Sequence, residues 1–180
     1  MSICFLAGCR SVSLAGMPLS KDAEWDYTYS AKMLTGVESV RVINESSIDG
    51  HPAYNLSGPM GRSRIAWIGD KLVAAELSGT RFFPPITLLA PGRKGELPTW
   101  QGSISSGGTS SPASAQISQE SSTFSLGGRK YSATVVVHRI TYGSSNLEVS
   151  TTYADGLGIA QQVSRRNGQF VSSLEYLKGP

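Results

Sequence analysis

Apolar and polar residues alternate with a period of two through most of this chain, and short turn signals break the alternation repeatedly. Trp25, Tyr27 and Tyr29 fall on one side of an extended segment, with Asp26, Thr28 and Ser30 on the other. A strand keeps such a set on one face, whereas a helix would scatter it around its axis. Leu147, Val149, Thr151 and Tyr153 alternate in the same way with Asn146, Glu148, Ser150 and Thr152. Tyr131, Ala133, Val135 and Val137 form a further apolar face, leaving Ser132, Thr134 and His138 on the less apolar side and Val136 out of phase. Near the end, Phe170, Ser172, Leu174 and Tyr176 share one side. Between these runs stand Asp49-Gly50, Gly69-Asp70, Gly127-Gly128, Gly143-Ser144 and Asn167-Gly168. Such pairs accept the positive φ angles of tight hairpin turns. The pattern predicts an all-β, antiparallel fold of about ten to twelve short strands, built as curved sheets, a half-barrel or a barrel.

Two segments depart from the pattern. Phe83 to Pro98 contains four prolines and reads as an ordered connection crossing the sheet, with a short helical turn at Ile86 to Ala90. Ser103 to Ser114 is rich in Ser and Gly and reads as a mobile hairpin loop. The halves on either side run in a similar order, over residues 24–80 and 99–178. One opens at Trp25 and passes Ile48-Asp49-Gly50 to a strand from Tyr54; the other opens at Trp100 and passes Phe124 to Gly128 to a strand from Tyr131. The likeness fits either a duplicated half-barrel or chance similarity among Ser/Gly-rich strands.

A chain of 180 residues suits one domain, here placed at residues 21–178. Charged residues make up 16%, well below the usual ~25%. The net charge of +3 is scattered, with no Lys/Arg run longer than two residues, which argues against a nucleic-acid partner. No stretch approaches the ~20 apolar residues of a membrane-spanning helix.

The first nine residues carry the clearest address. Leu6-Ala7-Gly8-Cys9 has the form of a bacterial lipobox, in which small residues precede a cysteine that receives a diacylglyceryl group. The apolar run before it is short, Ile3 to Ala7, and no Lys or Arg precedes it. Either the true start lies upstream or the match is accidental. Taken as a lipobox, it divides the chain into a partial signal at 1–9, a linker at 10–20 and the folded domain. It predicts lipid attachment at Cys9 and an extracytoplasmic, membrane-anchored protein. The other cysteine, Cys4, falls within the same segment, so the body of the domain has no disulfide and no thiolate metal site.

Candidate chemistry is sparse. The two histidines, His51 and His138, are too few for a zinc or iron site, which needs clustered ligands. No Gly-x-Ser-x-Gly elbow presents a nucleophile, although a triad assembled by the fold is recognised only by geometry. Gly156-Leu-Gly158 begins like a dinucleotide fingerprint but lacks the third glycine and a following helix, and reads as a turn. No cofactor, metal or enzymatic activity is expected. The exception to this blandness is Arg81-Phe82-Phe83-Pro84-Pro85. Adjacent residues of a strand point to opposite faces, so Phe82 and Phe83 cannot both turn inward. One plugs the end of the sheet, or one lines an apolar cavity or docks a partner; Arg81, Phe82 and Phe83 are the candidate ligand- or partner-binding residues.

The order Pro18-Leu19, Trp25-x-Tyr27-x-Tyr29, Val42, Ile48-Asp49-Gly50, Tyr54, Phe124-x-x-Gly127, Val135-Val136-Val137 and Tyr153-Ala-Asp-Gly156-Leu-Gly158-Ile159 resembles a group of bacterial secreted proteins and lipoproteins of unknown function. The resemblance covers roughly residues 17–178 and implies no catalytic residues; the chain departs from it at Ala23, where glycine is usual, and at Ala160, where valine is common. Three readings follow. A non-enzymatic envelope lipoprotein binding a lipid or other apolar ligand through its sheet predicts an interior larger than side chains fill. A structural or interaction module of an envelope assembly predicts a filled core and an exposed apolar patch. An unrecognised hydrolase predicts a polar cleft with a perturbed titratable pair near His51 or His138.

Overall fold

A computed structural model of the protein describes residues 16–180, and Cys9 lies outside the described residues. Thirteen strands follow one another in it: β1 (Glu24–Ala31), β2 (Leu34–Ile48), β3 (His51–Gly58), β4 (Gly61–Ile68), β5 (Lys71–Leu77), β6 (Thr80–Leu89), β7 (Gly95–Glu96), β8 (Trp100–Ser106), β9 (Thr109–Leu126), β10 (Arg129–Tyr142), β11 (Ser145–Ala154), β12 (Gly158–Arg166) and β13 (Gln169–Lys178). Every pairing is antiparallel. Twelve strands close on themselves, because β9 pairs with β10 and β13 returns to β1, where Tyr27 faces Tyr176 and Tyr29 faces Leu174. The short β7 is an extra strand laid along β9. Closure removes the sheet edges that would otherwise offer unpaired backbone to another chain.

The turn signals do what their chemistry allows. Asp49 and Gly50, Gly127 and Gly128, and Asn167 and Gly168 all have φ between 50° and 80°, the handedness that matches the twist of a two-residue hairpin. Ser103 to Ser114, expected as a mobile loop, is regular β8–β9 hairpin turning at 107–108. The helical turn expected at Ile86 to Ala90 is absent, since Ile86 to Leu89 are extended in β6.

Strand faces set the core. Trp25, Tyr27, Leu72, Ile86, Leu89 and Val136 are fully buried on the inner face and belong to one apolar cluster. The β10 face predicted from sequence is inverted. Val136, His138 and Ile140 point inward, while Ala133 is buried on the outside beneath Phe124, Tyr131 and Leu157. Valine at three consecutive positions carries no phase of its own, and His138 finds a partner inside. Phe170 also differs. A bulge beside Arg165 pairs Phe170 with Arg165 while Ser172 pairs with Ser164, so Ser172, Leu174 and Tyr176 stay inside and Phe170 turns outward.

An up-and-down barrel places alternate turns at opposite ends. The turns at 32–33, 59–60, 78–79, 107–108, 143–144 and 167–168 form the upper rim. The lower rim holds the other turns and both ends of the described chain. Gly16 to Leu19, assigned to a linker from sequence, lie across that lower end. The Gly158 N–H donates to Gly16 O at 3.0 Å, and the Trp67 indole donates to Met17 O at 3.1 Å. Met17 is itself buried, so this segment covers the floor of the core.

Candidate binding surface

The two phenylalanines of the Arg81-Phe82-Phe83 segment part company. Phe82 turns inward opposite Ile104 and packs edge-on against Trp100, with ring centroids 5.8 Å apart. Phe83, opposite Ser103, points outward and is 78% exposed. Arg81 shares that outer face, its guanidinium 3.9 Å from Glu76. The structure therefore divides the three residues between a core contact and an open surface.

Below Phe83 the barrel is joined by side chains. Only three residue pairs, Arg81 with Ser105, Phe82 with Ile104 and Phe83 with Ser103, link β6 to β8. Further along β6 its backbone is met from β8 and β10, and the segment just past its end from β9. The Trp100 indole donates to Pro84 O at 2.9 Å, and His138 Nε2 lies 2.8 Å from Thr87 O. The Gln119 carboxamide accepts from Ala90 N–H at 3.1 Å and donates to Ala90 O and Arg93 O. A carbonyl only accepts, so His138 carries its hydrogen on Nε2. Burial pushes the His138 pKa below the ordinary 6.5, and the Thr87 bond opposes that only in part. This histidine holds a seam. Burial likewise raises the phenols of Tyr27 and Tyr153, which keeps the core neutral. His51, by contrast, is exposed at the start of β3.

Two shallow clefts, of about 400 and 480 Å³, open on the outside of the barrel near the upper rim and share Ser114 and Thr141. The first is lined also by Gln116, Arg139, Glu148 and Arg165. Arg139 Nε donates to Glu148 at 3.1 Å, and Thr141 donates to Asn146 at 3.0 Å. These groups can exchange hydrogen bonds with a polar ligand. Among the described residues no cluster of three metal-ligating side chains occurs.

The upper rim is also where most large apolar side chains meet water. Met33 is 99% exposed at the tip of the β1–β2 hairpin, with Leu34 at 73% and Val37 at 67% beside it. Phe170, 45% exposed, stands on the neighbouring β12–β13 hairpin, because β13 pairs with β1. The residues around Met33 went unnoticed in the sequence; the one available signal was the Lys32-Met33-Leu34 triplet sitting where a polar turn belongs.

No family model matches the sequence, and no curated protein does. Solved structures do resemble it. One is a predicted lipoprotein from Parabacteroides distasonis, 9% identical with a TM-score of 0.58, the match covering 92% of this chain and 99% of that one. Another is a predicted exported protein with a YmcC-like fold from Bacteroides fragilis, 8% identical with a TM-score of 0.56, again covering 92% and 99%. The fold of this chain, a closed antiparallel barrel with one added strand, is thus one that occurs among bacterial proteins predicted to be exported or lipid-anchored.

Proposed function

We propose that this protein is a non-enzymatic lipoprotein of the bacterial cell envelope, anchored through Cys9, whose barrel engages its partner on the outside at the upper rim. The observation that carries the reading is the division of apolar surface. The inner face is occupied by one apolar cluster of large side chains, while Met33, Leu34, Val37 and Phe170 stand in water together on the adjoining β1–β2 and β12–β13 hairpins; Phe83 stands apart on β6, and Ile43 and Leu177 are exposed away from the upper rim. Apolar groups left exposed together mark interaction surfaces more often than isolated ones do. His138 supports the non-enzymatic reading, since its Nε2 is occupied by a backbone carbonyl. The fold likeness to predicted lipoproteins and exported proteins supports the envelope location.

Native mass spectrometry of the purified chain tests where a ligand sits. The expected spectrum is that of the bare polypeptide. Stoichiometric extra mass that leaves on denaturation and proves to be a lipid would instead make the barrel an interior carrier. The anchor has its own test: with a complete signal supplied, Cys9→Ser should release the protein from membranes, and continued membrane association would overturn lipid attachment at that residue.

A further inference from the structure

We infer that the upper rim is a docking surface for an anionic lipid bilayer, with the β1–β2 hairpin inserting Met33 and Leu34 among the acyl chains. The inference rests on the reading that the partner binds outside the barrel at this rim. Two independent features of the rim agree with it, its apolar tip and its charge.

The tip comes first. Residues 34–40 of β2 pair with β1 alone, because the β3 partners of β2 begin at Arg41. The hairpin therefore projects past its β3 neighbour, and its end carries Met33 and Leu34 with almost nothing packed on them. Val37 and Phe170 widen the apolar area on the two adjoining hairpins. A hairpin tip this exposed has no partner among the described residues, and a protein groove would need to be deep to receive it. A bilayer interface accepts a projecting apolar tip without any such shape.

Charge selects the kind of bilayer. The upper turns and the strand ends beside them carry Lys32, Arg62, Arg81, Arg139, Arg165 and Arg166, against Glu38, Glu76 and Glu148. Glu76 and Glu148 are engaged by Arg81 and Arg139. Among the described residues, Lys32, Arg62, Arg165 and Arg166 have no carboxylate within ion-pair distance, and Lys32, Arg165 and Arg166 stand on the same two hairpins as Met33 and Phe170. The lower rim mixes its signs, with Asp49, Asp70 and Asp155 beside Lys71, Arg129 and Lys130. Basic side chains close to an anionic surface add attraction that salt screens, and apolar side chains at the interface add attraction that it does not.

The test uses the full 180-residue chain carrying Cys9→Ser, sedimented with vesicles of phosphatidylcholine alone or with roughly a third phosphatidylglycerol, a proportion high enough to give a strongly negative surface. The expected result is binding to the anionic vesicles only, weakened several-fold between low and high salt. Met33→Asp with Leu34→Asp should weaken it by about tenfold or more, and Met33→Leu should keep it. Arg165→Glu with Arg166→Glu provides a second variant far from the first in sequence, expected to lose the preference for anionic vesicles. Circular dichroism and melting temperature report whether each variant is folded. Equal vesicle binding by the parent and the Met33/Leu34 variant would overturn the inference, as would no binding by the parent. Hairpin-dependent binding to polyglutamate but not to vesicles would also overturn it, in favour of an acidic protein partner, while leaving the exterior-binding reading intact.

Discussion

His138 is the residue at which the physics of this barrel is most exposed to measurement. Its ring is buried and bonded to Thr87 O, and burial disfavours the charged form, so the folded-state pKa is depressed below the unfolded value near 6.5. Above that pH both states hold a neutral ring and stability is unaffected. As pH falls below 6.5 the unfolded chain takes up a proton that the folded chain refuses, and stability declines until the folded pKa is reached. The slope cannot exceed about 1.4 kcal/mol per pH unit for one group. Asp26 acts in a separate window. Its carboxylate is held below the ordinary 3.8 by the Ser39 hydroxyl and by Lys178, so its contribution is present above 3.8 and lost only as pH falls further. Urea unfolding between pH 5 and pH 7.5 should therefore show a decline that His138→Gln flattens, at a cost of about 1–3 kcal/mol at the higher pH from the disturbed seam. An unchanged pH slope in that variant would mean that other groups set it.

Among the elements, the junction of β6 with β8 is the least secured, and it turns on a glycine. A Cβ at Gly102 would come within 2.8 Å of Pro84 Cδ and 2.8 Å of the Trp100 ring, and would meet the Phe83 carbonyl oxygen as well. With only three residue pairs across the junction, β6 has little to hold it against that push. Gly102→Ala should cost about 1–3 kcal/mol, read as a fall of roughly 2–12 °C in melting temperature. Faster amide exchange is expected along residues 81–83 and 103–105. Gly36→Ala, where a Cβ meets nothing within 4 Å, should leave both measurements alone. Little of this junction was legible in the sequence. The alternation of Trp25, Tyr27 and Tyr29 fixed the face of β1, and the Asp-Gly, Gly-Gly and Asn-Gly pairs located hairpins because each pair has a stereochemical reason to turn. β8 and the start of β9 carry too few large apolar residues to announce themselves as strands. In Val135-Val136-Val137 both phases are equally apolar, so pairing chose between them, and the bulge that turns Phe170 outward is a property of two strands together. The same limit hid the binding surface. Arg81, Phe82 and Phe83 stood out by composition, whereas Met33 matters through a hairpin that projects beyond its neighbour, which only the register of β2 against β3 reveals.

At the scale of the whole molecule, the N-terminal strap and the Gly156-Leu-Gly158 turn are parts of one device. Gly158 has φ +92°, and a Cβ there would sit 3.3 Å from the Trp25 indole nitrogen and 3.6 Å from Met17. A glycine is thus needed where the strap crosses the lower rim, which gives a physical reason for Pro18, Trp25 and Gly158 to lie in the motif series read from sequence. The strap also fixes an orientation. Cys9 stands seven residue steps before Gly16, a reach of about 25 Å at most, so on the proposed attachment at Cys9 the lower rim would be held near its membrane with the upper rim facing away. Tethering and docking then engage different surfaces. Lipidated protein in phosphatidylcholine vesicles should recruit separate vesicles containing phosphatidylglycerol, and light scattering should rise on mixing. Met33→Asp with Leu34→Asp should abolish the rise while leaving the protein anchored. Cys9→Ser should abolish it by the other route, since the soluble chain would coat the anionic vesicles without linking them. If the Cys9→Ser chain binds anionic vesicles but the lipidated protein recruits none, the barrel lies down on its own membrane and the two ends do not work apart. The scattering measurement separates those geometries because only a barrel that stands on its lower rim can hold two bilayers at once.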